Sequence, residues 1–253
     1  MHSSKFQSSI LIDELTYNRL QETLVQLIEK TGLADQRIQV SARTLTPVEA
    51  IGDPERKDFP LIKGREVMLE ARLNQAIGQA FTDMPAKFEG LLKEVCELQL
   101  SDNAERGVFI ATLNAVLRYL GWVDKTIHCK NEEPEECAKN LPQHVMQYVK
   151  KPRIAFIGLQ PAMVDHLSRD FPIRVTDIDE HNVGSEKYGI LIESIDKTAE
   201  IIDWSNIVLA TGSTVINNTY RSLLRNKPVI FYGVSITGVA HLTNCGHFCY
   251  CGK

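Results

Sequence analysis

Apolar residues first recur at helical spacing. Leu15, Leu20, Leu24, Leu27 and Ile28 share one face of a segment predicted as a single helix over 12–30, with Gly32 as its stop. Shorter runs of β character follow at 37–45, 66–73 and 77–81 and are predicted as strands. Between the first two, TPVEAIGDPERKDFPLIKG mixes Pro, Gly and charge and reads as a loop. Helical periodicity returns at 86–99, at 105–120, where ATLNAVLRYLG lies, and at 134–149. Strands followed by helices predict an α+β domain over 1–150.

From 151 to 253 strand and helix alternate instead. Strands are predicted at 153–158, 173–178, 207–210 and 228–232, and helices at 161–169, 196–202 and after residue 214. Such alternation calls for parallel strands joined by right-handed crossovers, a Rossmann-like layer of reduced size. The fold class is therefore α/β: a Rossmann-like parallel-sheet domain preceded by a smaller α+β domain.

The richest stretch is NIVLATGSTVINNTYR. A buried strand, Ile207 to Ala210, runs into Thr211, Gly212, Ser213 and Thr214, and then a helix start. Such a turn aims hydroxyls and backbone N–H groups out of the carboxyl end of a strand, where open α/β sheets bind polar or anionic ligands. Helix capping by the same hydroxyls is the plainer alternative. Asn217, Asn218 and Thr219 are poor helix formers and favour a site. Gly158 is the one glycine of the first strand's turn, where a dinucleotide fingerprint needs three. Asp177 and Asp179 close the second strand, where an acidic residue accepts ribose hydroxyls in nucleotide-binding layers. Asn114, inside a helix, requires partners; a neighbouring backbone or a ligand would serve.

IGLQPAMVDHL, VTDID, NIVLATGSTVINNT and PVIFYGVS together resemble the carboxy-terminal domain of the heavy-metal chelation family, a domain of unknown function. The AFTD segment and the ATLNAVLRYLG helix are similar to the smaller domain that precedes it. The resemblance implies a domain like the amino-terminal domain of enolase, packed on a Rossmann-like domain similar to that of methyltransferases, with a cleft between them. It implies Gly158, Asp177, Thr211, Gly212, Ser213, Thr214, Asn217 and Thr219 as cleft residues. The single glycine at Gly158 departs from a methyltransferase-like G-x-G-x-G.

Net charge is −4, and no basic block has the density of a nucleic-acid footprint, so nucleic acid is not an expected partner. No apolar run reaches the length of a membrane span, and MHSSKFQSSILIDEL lacks the build of a secretory signal; a cytoplasmic protein is expected. The six cysteines then argue against a disulfide framework. Cys96 reads as a small buried hydrophobe. Cys245, His247, Cys249 and Cys251, with His241 just before them, form a ligand-rich tail suited to zinc, iron or an iron–sulfur cluster. If 246–252 is extended, His247, Cys249 and Cys251 share a face. His128, Cys129 and Cys137 form a second group that could join the first.

The expected function is binding of a small polar or anionic ligand, a metal chelate or its precursor, beside the TGST turn, with a transition metal on the tail. The alternative is a transferase, or a condensing or hydrolytic enzyme, acting on a pterin-, flavin- or nucleotide-like molecule, with S-adenosylmethionine or a nucleotide bound. No G-x-S-x-G elbow, H-E-x-x-H helix or Walker A loop is present, and no residue is assigned to catalysis. The expected partner is the small molecule or chelate, with a homodimer left open.

Overall fold

The computed structural model describes residues 10–33, 39–64 and 66–253, with backbone alone at 39–41. Residues 1–9, and the start of the strand predicted at 37–45, lie outside the described residues.

The first helix is shorter than its periodicity predicts. A 3-10 turn at Ile12–Glu14 precedes a break, and α1 (Tyr17–Lys30) begins after Thr16. The Thr16 hydroxyl accepts the Arg19 N–H at 3.0 Å, an N-cap that fixes the start. The loop after residue 45 hides a second capped helix, α2 (Pro47–Ile51), where Thr46 and Glu49 form a reciprocal capping box.

Strands β1 (Gln39–Thr44), β2 (Val67–Leu73), β3 (Ala76–Thr82) and β4 (Lys87–Leu91) form an antiparallel sheet in the order β3-β2-β1-β4. β4 corrects the helix predicted at 86–99. Its residues pair with β1 from Gln39↔Leu91 to Arg43↔Lys87, and only the short α3 (Leu92–Cys96) follows. The open edge of β1 decides the conformation there, over local propensity.

Helix α4 (Asn103–Tyr119) packs on this sheet and is buried from Gly107 to Leu117. Gly78 on β3 makes the close approach possible: a Cβ there would stand 2.2 Å from the Ala111 carbonyl oxygen. The other side of α4 meets the second layer, so Leu69, Phe109, Val208 and Phe231 belong to one apolar core.

The second layer holds β5 (Ile154–Ile157), β6 (Ile173–Asp177), β7 (Glu186–Lys187), β8 (Ile190–Ser194), β9 (Ile207–Thr211), β10 (Val229–Tyr232) and β11 (Gly246–Phe248). Their order is β11-β10-β9-β5-β6-β8-β7, parallel except for β7 against β8. The sheet is thus larger than the reduced version expected. The chain steps outward from β5 through β6 to one side and restarts at β9 on the other, which puts the topological switch point between β5 and β9.

Helices α5 (Glu133–Met146) and α6 (Pro161–Ser168) cover one face through Ala138, Leu141, Val145, Val164 and Leu167, packed with Phe156 and Leu209. α5, predicted within the first domain, therefore lies on the second layer. Helix α7 (Thr198–Trp204) leads into β9, and α9 (Thr237–Thr243) precedes β11.

The helix predicted after the TGST turn is one turn long, α8 (Ser213–Ile216). Asn217 is its C-cap and Asn218 adopts φ 56°, the left-handed conformation that asparagine tolerates. The asparagines thus have a structural reason to be there: they end the helix.

Candidate functional site at the switch point

At the carboxyl ends of β5 and β9, Gly158 takes φ 87°, and a Cβ on it would stand 2.7 Å from Thr211 Cγ2 and 3.5 Å from the Tyr232 hydroxyl. Tyr232, at the end of β10, donates its hydroxyl to the Gly158 carbonyl. Asp177 ends β6 and is buried. Its two oxygens accept the N–H groups of Leu159 at 2.7 Å and Asp179 at 2.6 Å, which ties the turn after β5 to the turn after β6.

The antiparallel sheet supplies the other wall. In the β2–β3 hairpin Val67 faces Thr82, so Glu66 and Asp83 stand opposite one another one step further on. The Phe81 N–H donates to the Ser235 hydroxyl at 2.8 Å, pinning that end of the hairpin to the turn after β10. Glu66 is half-buried, and the charges of Asp177, Asp83 and Asp179 all act on it. Burial, then these carboxylates, push its carboxyl up to about 7. Burial, chiefly, and the charge of Asp179 raise Asp177, against the N–H groups it accepts. Burial, with Glu66 and Asp177 nearby, pushes the Tyr232 phenol well above its usual range. Glu66 and Asp177 are thus carboxyls that resist ionising, with the Tyr232 phenol held in its protonated form.

The TGST turn borders this cleft. Thr211 Oγ1 and Ser213 Oγ lie 3.1 Å apart, and Thr211 Oγ1 also accepts the Ser213 N–H. The Thr214 hydroxyl donates to the Thr211 carbonyl at 2.8 Å, and the Gly212 N–H to the Tyr232 carbonyl at 2.9 Å. Gly212 itself is packed against Ile236. These bonds hold the shape of the turn. Asn217 accepts from Asn103 Nδ2 at 3.1 Å, and the same amide donates to Asp83 at 2.8 Å, so Asn217 reaches the cleft through Asn103. Thr219 is exposed and bonds back to the Thr214 carbonyl.

Asn114 is not a cleft residue. It is fully buried, donates to the Gln79 and Val234 carbonyls and accepts the Gly238 N–H at 2.8 Å. Its amide is used up in fastening α4 to both layers, which corrects its assignment to the ligand.

The cysteines divide differently from their order in sequence. Beyond β11 the chain turns back, so residues 246–252 do not form one extended strand. Ile127 and Lys253 exchange two backbone hydrogen bonds, a closely spaced antiparallel pair that sets Cys129 across from Cys251. Cys129, Cys137 and Cys251 lie near enough to one another for their charges to interact. Cys249 adjoins them, and a Cβ on Gly252 would stand 2.4 Å from its sulfur.

The others lie apart. Cys245 packs with the opposite core, and His247 Nε2 bonds to the Gly233 carbonyl. His128 Nδ1 lies 3.3 Å from the Ala50 carbonyl, with its ring edge-on to Phe81; burial lowers it to about 4. His241 packs beside Trp122, and Cys96 is half-buried, pushed up to about 11 chiefly by burial. Among the described residues no group of three or more His, Cys, Asp or Glu side chains is placed to hold a metal ion.

Sequence reasoning missed Glu66, Asp83, Tyr232 and Ser235 as wall residues. The signal was the hairpin itself: once 66–73 and 77–81 are read as a pair, two acids face one another at its open end. A shallow groove elsewhere, lined by Arg43, Glu70, Arg72 and Lys87, lies on the antiparallel sheet and shares none of these residues.

A two-layer α/β protein whose parallel sheet has a Rossmann-type switch point is what the fold defines. Residues 141–246 match the family DUF364, described as "Putative heavy-metal chelation". The resemblance first seen in the motifs is thus shown for most of the parallel-sheet layer. A DUF364 protein of unknown function from Pyrococcus horikoshii is similar in fold, with 15% identity, a TM-score of 0.53, and 87% of this chain and 79% of that one covered. A DUF364 protein from Desulfitobacterium hafniense, also of unknown function, aligns with 16% identity, a TM-score of 0.46 and coverage of 70% and 72%. No curated protein matches the chain.

Among the described residues no helix is long and apolar enough to cross a membrane.

Proposed function

We propose that the switch-point cleft binds a small cationic ligand, a divalent metal ion or its chelate with a small organic molecule. What supports this reading is that the charges of Asp177, Asp83 and Asp179 act on Glu66, and those of Glu66 and Asp177 on Tyr232, with these residues drawn from both layers of the fold. Like charges brought together by folding are costly unless a cation offsets them. The same field opposes a bare phosphate at the TGST turn, whose hydroxyls and N–H groups already bond to one another. The family description, heavy-metal chelation, points the same way. Oxygen donors of this kind favour magnesium, manganese or the oxygen face of a chelate over a bare soft ion.

A second reading has one observation behind it. Asp177 and Asp179 follow the strand next to β5, where nucleotide-binding layers hold ribose hydroxyls. A cationic adenosyl compound such as S-adenosylmethionine would suit both that position and the negative field, and would make the protein a transferase.

The test is a thermal-shift series with Mn²⁺, S-adenosylmethionine and adenosine nucleotides on wild type and Asp177→Asn. Saturable stabilisation by Mn²⁺, lost in the variant, supports the first reading; at about 100 times Kd it amounts to about 2.7 kcal/mol. Stabilisation by S-adenosylmethionine alone would replace it with the second.

A further inference from the structure

We infer that β4 is a self-complementary interface through which two copies of this chain join, edge to edge, about a two-fold axis at Phe88. The interface is separate from the cleft and does not depend on it. β3 and β4 are the outer strands of the antiparallel sheet, and their free sides differ. On β3 the Gln79 N–H donates to the Thr126 carbonyl at 2.9 Å, and the Ile77 carbonyl accepts the Thr126 hydroxyl at 2.6 Å. The Phe81 N–H donates to Ser235. That edge is covered by the chain itself, as exposed edges in folded proteins commonly are.

Register decides which groups of β4 are open. The Leu45 N–H donates to the Met68 carbonyl at 2.8 Å, so these two form a hydrogen-bonded pair of the β1–β2 ladder. Pairing alternates along a strand. Arg43 and Ser41 therefore turn their backbone groups toward β2, and Ala42 turns its own toward Phe88. Phe88 thus faces β1, and the N–H and carbonyl groups of Lys87 and Glu89 point away from the sheet. Among the described residues these four groups have no hydrogen-bond partner. The open run has definite ends: Pro85 has no N–H, and the Leu91 N–H is taken by the Glu94 carboxylate at 2.6 Å.

Antiparallel pairing about Phe88 sets Lys87 opposite Glu89 of the second copy, and Glu89 opposite its Lys87. Both are hydrogen-bonded pairs, so the open groups of the two edges combine in four hydrogen bonds. The two side chains are exposed and share one face of the sheet, and they meet across the axis as two opposite-charge pairs. Within its own chain Lys87 faces Arg43, whose guanidinium is already held by Glu49. Among the described residues neither Lys87 nor Glu89 has an ion-pair partner. On the other face Phe88 meets its own copy, and Ala86 meets Gly90, small against small. A register centred on Lys87 or on Glu89 instead puts like charges in direct contact. A two-fold pair uses up this edge in both copies, so assembly closes at a dimer.

The experiment is sedimentation of the full chain from about 1 μM to about 1 mM, the range in which a small interface associates. Wild type should pass from monomer to dimer. Lys87→Glu and Glu89→Lys each turn both cross-strand pairs into like-charge pairs, and each should weaken dimerisation at least about 10-fold. Mixed together, the two variants should dimerise again, because the acidic edge of one then faces the basic edge of the other. Recovery in the mixture also separates lost pairing from lost folding. A wild type that stays monomeric, a dimer insensitive to both single variants, or a mixture that remains monomeric overturns the proposal.

Discussion

Glu66 and Asp83 face each other across the open end of the β2–β3 hairpin, and Glu66 also feels Asp177 and Asp179 from the other layer. An unfolded chain ionises such a glutamate near 4.5, whereas the folded protein holds the proton up to about 7. Below both values Glu66 is protonated in either state and contributes no pH dependence. As pH rises from about 4.5 to about 7 the unfolded state loses its proton first, and stability falls. Glu66→Gln should therefore match wild type near pH 4 and exceed it at pH 8 by up to about 3 kcal/mol, measured by urea unfolding at both pH values. Wild type and variant with parallel pH profiles would refute this.

Asn114 makes the opposite case, a polar residue serving structure alone. Asn114→Ala strands the Gly238 N–H and two carbonyls in the core, and should cost about 3 kcal/mol in the same assay. At this scale the sequence marked the turns that carry Gly158, Asp177 and Thr211, because turn chemistry leaves local signals. Glu66 and Tyr232 left none, since their significance comes from what folding places opposite them.

The elements that shape the cleft were legible where their signals were local. β5, β6, β9 and β10 follow apolar runs closely, and α6 starts at its proline. β4 was read as helix because its residues gain order from the edge of β1, a partner more than forty positions away. α8 is shorter than expected because Asn217 caps it and Asn218 takes the left-handed conformation that ends it. The turn between β5 and α6 offers the sharpest test of an element. Gly158→Ala forces a side chain into a left-handed backbone and against Thr211. A loss of about 1–3 kcal/mol is expected, together with weaker binding at the cleft, both readable in one thermal melt run with and without Mn²⁺. Unchanged stability and binding would show that the switch point tolerates the added methyl.

At the scale of the whole molecule, two layers share one core around α4, and Glu66 and Asp177 come one from each. The α/β class and the Rossmann-like layer were legible from alternation alone. The meeting of Glu66 and Asp83 with Asp177 and Asp179 was not, because no periodicity encodes how one layer sits on another. The central claim is that this meeting is a cation site. A cation binding there must displace the proton that Glu66 holds up to about pH 7. Calorimetric titration of Mn²⁺ at pH 7, repeated in buffers of different ionisation enthalpy, measures that proton directly. Saturable binding with about half a proton or more released per ion, abolished in Glu66→Gln, is the predicted result. Absence of binding, or binding without proton release and unchanged in Glu66→Gln, would contradict it.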